Sequence, residues 1–397
     1  MDFLNMAKNI EDELIEIRRD LHRNPELGFD LPQTSGKIKA FLKNENIPYT
    51  EVAKTGVVAT IKGRKHSEEK NFKTIAIRAD MDALPLEDKK TTAYTSNIKG
   101  KMHACGHDAH TTIALGAAKI LNSIKDEFSG NIKFFFEPAE ETVGGAQLMI
   151  EEGVLKNPSV DGVIGLHVDE NLECGKIGIK RGTVYAASNP FTIKIYGRGA
   201  HGASPHKGVD PIVIASHVVL ALQTIVSREI SPTSSAVVTV GTIKGGTAQN
   251  IIPEEVEISG ILRTMEIEHR EYVKERLSEI VNGIVTSMRG NCKIKIDESY
   301  PCLLNDDNMY DIFENSAVSL LGQDKVKVYN EPTMGVESFA YFSLEKPSMF
   351  YWLGCGNLEK GIVHPAHSCL FDIDEECLVI GTAMHCKMAL DFLNKSL

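Results

Sequence analysis

The chain has no C-x-x-C pair and no compact cysteine framework: its 8 cysteines are scattered at positions 105, 174, 292, 302, 355, 369, 377 and 386. That excludes a disulfide-stapled scaffold and a cysteine-rich zinc knot, and it fits reduced thiols in a cytoplasmic protein. An excess of basic residues is missing as well, since the formal net charge is -11. An acidic surface repels phosphate backbones and anionic headgroups, so neither nucleic acid nor a membrane surface is the expected partner. The opening residues Met-Asp-Phe-Leu-Asn-Met-Ala-Lys contain no basic segment leading into an apolar one, so no secretory signal is read there. No apolar run is expected to reach the length of a bilayer span. Internal repeats and low-complexity tracts are absent.

What is present is an ordinary globular balance, with 42% apolar and 24% charged residues over 397 positions. That length exceeds what one hydrophobic core usually organises, so two domains are expected. Ile10, Leu14, Ile17 and Leu21 recur at helical spacing up to Asn24-Pro25, and a second helix is predicted over 33–43. Strands over 57–61, 74–77, 132–136 and 163–168 alternate with helices beginning after His107 and near Ala146. This predicts an α/β catalytic domain with a mostly parallel sheet flanked by helices. Three of its strands end in polar groups, at Asp80-Met81-Asp82, Glu140-Glu141 and His167, where open α/β sheets collect ligands.

From about residue 186 the texture changes. Strands over 191–196, 236–243, 256–262 and 293–296, with helices over 211–226 and 267–288, form a βαββαβ-like set. It is read as an inserted α+β domain over 186–298, which leaves 1–185 and 299–397 as the catalytic domain. The helix after Asp210-Pro211 is apolar nearly all round, which suits either a subunit interface or a thick core. A helix near 311–321, a strand over 348–352 and a last helix over 375–392 complete the first domain.

Met102-His103-Ala104-Cys105-Gly106-His107-Asp108-Ala109-His110 concentrates metal- and proton-binding groups at a strand-to-helix junction. Thiolate and imidazole suit zinc and its neighbours, and Gly106 permits a tight turn that aims Cys105 and His107 at one point. Glu137-Pro138-Ala139-Glu140-Glu141 follows a run of three phenylalanines. Adjacent glutamates at a buried strand end imply something positive nearby, although a solvated loop is the plainer reading. His167 alone would more often be a packed core residue; it gains weight from the neighbouring strand ends. Gly197-Arg198-Gly199-Ala200-His201 and Gly245-Gly246-Thr247-Ala248-Gln249-Asn250 are polar loops without phosphate-loop order, and Arg263 follows. Histidine, asparagine and arginine suit an oxyanion and a carboxylate. Val363-His364-Pro365-Ala366-His367-Ser368 lies between a strand and the final helix, and a histidine returning from late in the chain is placed to complete a ligand set.

The motifs R-R-D-L-H-R-N-P-E-L-G-F (18–29), R-A-D-M-D-A-L-P (78–85), M-H-A-C-G-H-D-A-H-T (102–111), E-P-A-E-E (137–141), G-L-H (165–167), G-R-G-A-H-G-A-S-P-H (197–206), Q-N-I-I-P (249–253) and H-S-C-L-F-D-I-D-E (367–375), in this order, resemble the dinuclear metallopeptidase family of aminoacylases and carboxypeptidases. Within it, the chain is similar to the amidohydrolase subfamily of N-acyl-amino-acid amidohydrolases, hippurate hydrolases and auxin-conjugate hydrolases. The resemblance implies that Cys105, His107, Glu141, His167 and His367 hold two divalent cations, zinc or manganese, with cobalt and nickel also acceptable. It implies Glu140 as general base and acid, Asp82 as an orienting group, His201 at the oxyanion, and Asn250 and Arg263 at the substrate carboxylate. The implied activity is hydrolysis of N-acyl-L-amino acids by metal-activated water. A small-substrate carboxypeptidase or dipeptidase is the alternative. The implied partners are a small acyl amino acid or dipeptide and a second copy of the chain, through an inserted domain that serves as lid and dimerisation unit. A non-catalytic binding protein on the same fold is disfavoured by the intact Glu140, and a nucleobase deaminase by the missing P-C-x-x-C element. The chain departs from the subfamily pattern at Glu137 (usually Gln), Ser338 (usually Asp) and Cys369 (usually Pro).

Overall fold

The structure, a computed structural model, describes residues 1–65 and 72–395. It contains two compact units. The first comprises Met1–Val184, Leu304–Glu331 and Ser338–Leu397, and the second Tyr185–Leu303 with Pro332–Glu337.

The first unit is built on an eight-stranded sheet. Its strands run in the order Tyr49–Val52, Gly56–Lys62, Asn131–Glu137, Thr74–Asp80, Gly162–Glu173, Ser348–Gly356, Ile177–Ile179, Val326–Val328. From Asn131–Glu137 to Ser348–Gly356 the neighbours are parallel. These strands are almost continuously buried, as in Thr-Ile-Ala-Ile-Arg-Ala-Asp and Ile-Lys-Phe-Phe-Phe-Glu. Nearly continuous burial of largely apolar residues is what strands covered on both faces require. Antiparallel pairs flank the parallel centre. The expected α/β class with a mostly parallel central sheet is therefore present.

One difference concerns His167. It does not close its strand, which continues to Glu173. Pairing with Thr74–Asp80 stops at Arg78–Gly165, whereas pairing with Ser348–Gly356 carries on through Trp352–His167. The histidine therefore sits where one neighbour has ended and the other has not.

Helices Glu11–Arg23, His107–Ser123, Asp307–Leu321 and Glu376–Asn394 share one apolar core with this sheet. Gly116 permits close packing there, because a Cβ would stand 2.6 Å from Leu14 Cδ2 and 2.9 Å from Thr382 Oγ1. A buried charge cluster ties three of these helices' ends together. Arg18 donates to Asp108 at 2.9 Å, to Asp372 at 3.0 Å and to Glu375 at 3.3 Å, and His22 Nδ1 lies 2.6 Å from the same Asp108 oxygen. Burial alone would raise the Asp108 pKa; Arg18 and His22 outweigh it and hold that carboxyl well below its ordinary value. A carboxyl depressed in the fold stabilises it above its unfolded pKa of about 4, and that contribution is lost as pH falls. Urea midpoints measured from neutral to acid pH should therefore fall less steeply in Asp108→Asn than in the parent. Arg18→Met should cost about 3–5 kcal/mol by stranding buried carboxylates.

The second unit holds a four-stranded antiparallel sheet in the order Ala236–Gly245, Glu255–Thr264, Ala187–Tyr196, Asn291–Ile296. With helices Pro211–Thr224 and Ile267–Ser287 it forms a split βαβ arrangement around its own core. Helix Pro211–Thr224 continues as a wider turn over Ile225–Glu229. The 19 residues from Pro211 to Glu229 are long and apolar enough to cross a membrane by length and composition, which corrects the expectation that no apolar run reaches that length. Ser216, His217 and Gln223 are the polar interruptions within its first helical segment. Ile214, Ala215, Val218, Leu222 and Ile225 face the unit's core, whereas Ile212, Val213 and Leu220 are exposed.

Candidate metal centre and active site

At the carboxyl ends of the parallel strands the first unit gathers Cys105, His107, Glu140, Glu141, His167 and His367. The junction after Cys105 turns through Gly106, whose φ of +86° places it in the left-handed region. A Cβ at Gly106 would meet Val168 Cγ2 at 2.3 Å, so only glycine lets Cys105 and His107 flank this turn. His367 arrives from a distant loop, pinned by its backbone N–H to the Ala104 carbonyl at 2.7 Å. Its φ of 64° and that of Ala139 at 61° are backbone strain of about 1–3 kcal/mol each, held in place by the surrounding structure.

Two sets of donor atoms have Cys105 in common. Cys105, His107 and His167 form one, and Cys105, Glu141 and His367 the other, with all ligand atoms of a set within 4.8 Å of each other. Cys105 Sγ lies 3.3 Å from His167 Nε2, and Glu141 Oε1 lies 3.4 Å from His367 Nε2 and 3.8 Å from His107 Nε2. Among the described residues, both His107 nitrogens and Glu141 Oε1 are buried without a hydrogen-bond partner. Orphaned polar atoms at such a density are costly unless an ion satisfies them. The mixed sulfur, nitrogen and oxygen donors suit divalent first-row cations. His167 donates its Nδ1–H to its neighbour Val168's carbonyl at 2.7 Å, which leaves Nε2 as the free donor facing Cys105.

The set Asp80, His107 and His110 also meets the distance criterion, but His110 is already engaged. Its Nδ1 lies 2.6 Å from Asp80 Oδ1, and its Nε2 accepts from the Val168 N–H at 3.0 Å. Both ring nitrogens are used, so His110 braces the centre. Burial pushes its pKa down to about 4, keeping the ring neutral. Asp82 accepts from the backbone N–H groups of Glu140 at 2.9 Å and Glu141 at 3.2 Å, and its Oδ1 stands 3.5 Å from His107 Nδ1. It therefore orients both glutamates and faces a candidate ligand.

The electrostatics are those of an anionic cage. Burial opposes protonation of His107, yet the Asp80 and Asp82 carboxylates hold its pKa well above the ordinary imidazole value. Burial drives the Cys105 thiol upward. Burial would raise Glu141 too, but the contact with His367 and the nearby His107 bring it down to about 2. Carboxylates are here compensated by protons on histidines, a place that cations can take.

The second unit carries the other expected site residues. His201 pairs with Ile251, and the Gly202 N–H bonds the Asn250 carbonyl at 2.8 Å; His201 and Asn250 line one pocket. His201 Nδ1 accepts from the Ala203 N–H at 3.0 Å, which leaves Nε2 to act outward. Arg263, on strand Glu255–Thr264, is not among that pocket's lining residues; its Nη1 is buried without a partner among the described residues, and burial lowers its pKa. Sequence reasoning assigns no role in the site to Arg78, Asp80, His110 or Ser338. The available signal was an arginine inside an otherwise apolar strand.

A parallel α/β sheet whose strand ends present a thiol, imidazoles and paired glutamates defines a metal-binding hydrolase. The pattern of peptidase family M20/M25/M40 matches residues 76–391, and the chain belongs to that family. It acts as a hydrolase on amide bonds. It is 37% identical over 396 residues to thermostable carboxypeptidase 2 of Saccharolobus solfataricus, covering 98% of each chain. It is 40% identical over 372 residues to the N-acetyl-L-cysteine deacetylase of Bacillus subtilis, covering 93% of this chain and 86% of that one. Among solved structures, a dinuclear metal-binding M20 peptidase of Bacillus subtilis superposes with a TM-score of 0.84 at 33% identity, covering 98% of this chain and 100% of the other.

Proposed function

We propose that the chain is an amidohydrolase that cleaves N-acyl-L-amino acids using two divalent cations, zinc or manganese, held by Cys105, His107, Glu141, His167 and His367. The observation that carries this reading is the cage itself: two donor sets share one thiol, with buried orphaned atoms on His107 and Glu141 and with Glu140 beside them. When bound, the cations would acidify a water and polarise the scissile carbonyl. Glu140, which also shares a donor set with His107 and Glu141, takes that water's proton and delivers it to the leaving nitrogen. Asp82 holds Glu140 and Glu141 in register through their backbone N–H groups. His201 is assigned to the developing oxyanion, supported by its outward Nε2. Asn250 and Arg263 are assigned to the substrate carboxylate, supported by the unpartnered guanidinium nitrogen of Arg263.

The test is reconstitution of the metal-free enzyme with each cation, followed by assay against N-acetyl, N-benzoyl and dipeptide substrates. Cleavage of the acyl amino acids that chelator abolishes is the expected outcome; metal-independent cleavage would refute the reading. A carboxypeptidase action at the same site, favoured by the similarity to thermostable carboxypeptidase 2, would appear as dipeptides exceeding acyl amino acids in kcat/KM.

A cytoplasmic location, supported by the unpaired cysteines, and a homodimer formed through the second unit belong to the same proposal. Leu220 is 71% exposed on the apolar helix, and Ile243 is 54% exposed on the edge strand Ala236–Gly245. An apolar helix face beside an unpaired strand edge suits a second copy. Leu220→Lys should shift the parent from dimer to monomer in light scattering; a monomeric parent would remove the dimer.

A further inference from the structure

We propose that Glu137 and Ser338 are positioning residues for Glu140, acting with Arg78 as a buried relay in which the carboxylate facing Arg78 can be carried at either position 137 or position 338. The proposal rests on the reading of Glu140 as the base. Arg78, Glu137 and Ser338 are all fully buried. Arg78 donates from Nε to Glu137 Oε2 at 2.6 Å, from Nη1 to Asp80 Oδ2 at 2.7 Å and from Nη2 to Ser338 Oγ at 2.7 Å. A guanidinium offers only donors. The Ser338 hydroxyl must therefore accept from Arg78 and spend its own proton on Glu137 Oε1, 2.6 Å away. With its hydroxyl fixed from both sides, Ser338 donates its backbone N–H to Glu140 Oε1 at 3.1 Å.

Glu137 also holds the base from the other direction. Its Oε1 accepts the Ala146 N–H at 2.7 Å. The short segment from Glu137 to Glu140, which contains the left-handed Ala139, is thus anchored at Glu137 and again at Asp82. A glutamine at 137 has one acceptor in place of two. Its amide group would face either the Arg78 Nε–H or the Ala146 N–H, donor against donor.

Positions 137 and 338 are in direct contact, Ser338 Oγ to Glu137 Oε1 at 2.6 Å, and both face the Arg78 guanidinium. A carboxylate placed at 338 and removed from 137 would leave the charge around Arg78 unchanged.

The experiment compares Glu137→Gln, Ser338→Asp, the double variant and Ser338→Ala in metal-reconstituted enzyme. The readouts are kcat, KM for N-acetyl amino acids, metal content, and the thermal midpoint of the metal-free protein. Glu137→Gln should lower kcat about tenfold to a hundredfold with KM and metal content unchanged, the cost of a misaimed carboxylate. Ser338→Asp alone should also lose kcat, because it sets two carboxylates against each other. The double variant should recover to within about threefold of the parent, and its thermal midpoint should exceed the sum of the single effects. Recovery no better than the product of the single losses overturns the exchange. An unchanged kcat in Ser338→Ala, which keeps the backbone N–H but loses the hydroxyl bridge, overturns the positioning role, and it remains readable if the charged variants fail to fold. Glu140→Gln, run alongside, separates the two readings. If it keeps full turnover, the base assignment falls and the positioning role falls with it, whereas the midpoint of the metal-free double variant still reports on the charge exchange.

Discussion

Glu140→Gln is expected to lower kcat by about a hundredfold to ten-thousandfold while leaving the bound metal unchanged. The substitution keeps the shape of the side chain. It also keeps the hydrogen bonds that place residue 140: the backbone N–H to Asp82 and, through the amide oxygen, the bond from the Ser338 N–H. What it removes is the only property the proposed chemistry needs, a carboxylate that takes a proton from water and returns it to the leaving amine. Because Glu140 stands beside the five proposed ligands and not among them, metal analysis should give the parent value. Binding of an uncleaved substrate analogue should also survive. Turnover near the parent value would remove Glu140 from the base role, and loss of metal along with turnover would make it a ligand instead.

Much of this centre was legible in the sequence because its parts sit at places with strong local signals. Cys105, Gly106 and His107 cluster within one turn, and the adjacent glutamates follow closely on an apolar strand. The four central strands were legible for the same reason: long buried runs such as Ile-Lys-Phe-Phe-Phe carry their own burial signal. The short pieces Tyr49–Val52, Ile177–Ile179 and Val326–Val328 were not, since three or four residues are too few to show a period. His167 and His367 were placed by family resemblance, because neither position has a local pattern that distinguishes a ligand from a packed or solvated histidine. The bracing groups were the hardest to see. Asp80 meets His110 across 30 positions, and Ser338 meets Glu137 across 201. Such contacts depend on strand order, which hydrophobic periodicity does not specify. Their logic is electrostatic: a buried Arg78 needs its carboxylates, and their chain positions are free to vary provided they meet in space.

Cys105→Ala is expected to reduce the bound cations from about two per chain to fewer than one, and to abolish turnover at metal concentrations that saturate the parent. The reason is that the thiol belongs to both donor sets. Removing His367 or His167 deprives one set of one ligand, but removing Cys105 leaves His107 with His167 and Glu141 with His367, each a pair too sparse to hold a first-row cation tightly. Loss of a direct ligand should cost at least the roughly tenfold to hundredfold in affinity that follows removal of a bracing group. The thiol's state reinforces this. Burial raises its pKa in the metal-free protein, so a cation must displace the proton on binding, and loading of the parent should strengthen as pH rises. In Cys105→Ala that pH dependence should weaken with the affinity. Titration of metal-free parent and variant with zinc and manganese at two pH values, with stoichiometry read by elemental analysis, measures both effects. Two tightly held cations in Cys105→Ala, with the parent's pH dependence intact, would show that the thiol is a bystander and that the cage is closed by carboxylates and imidazoles alone.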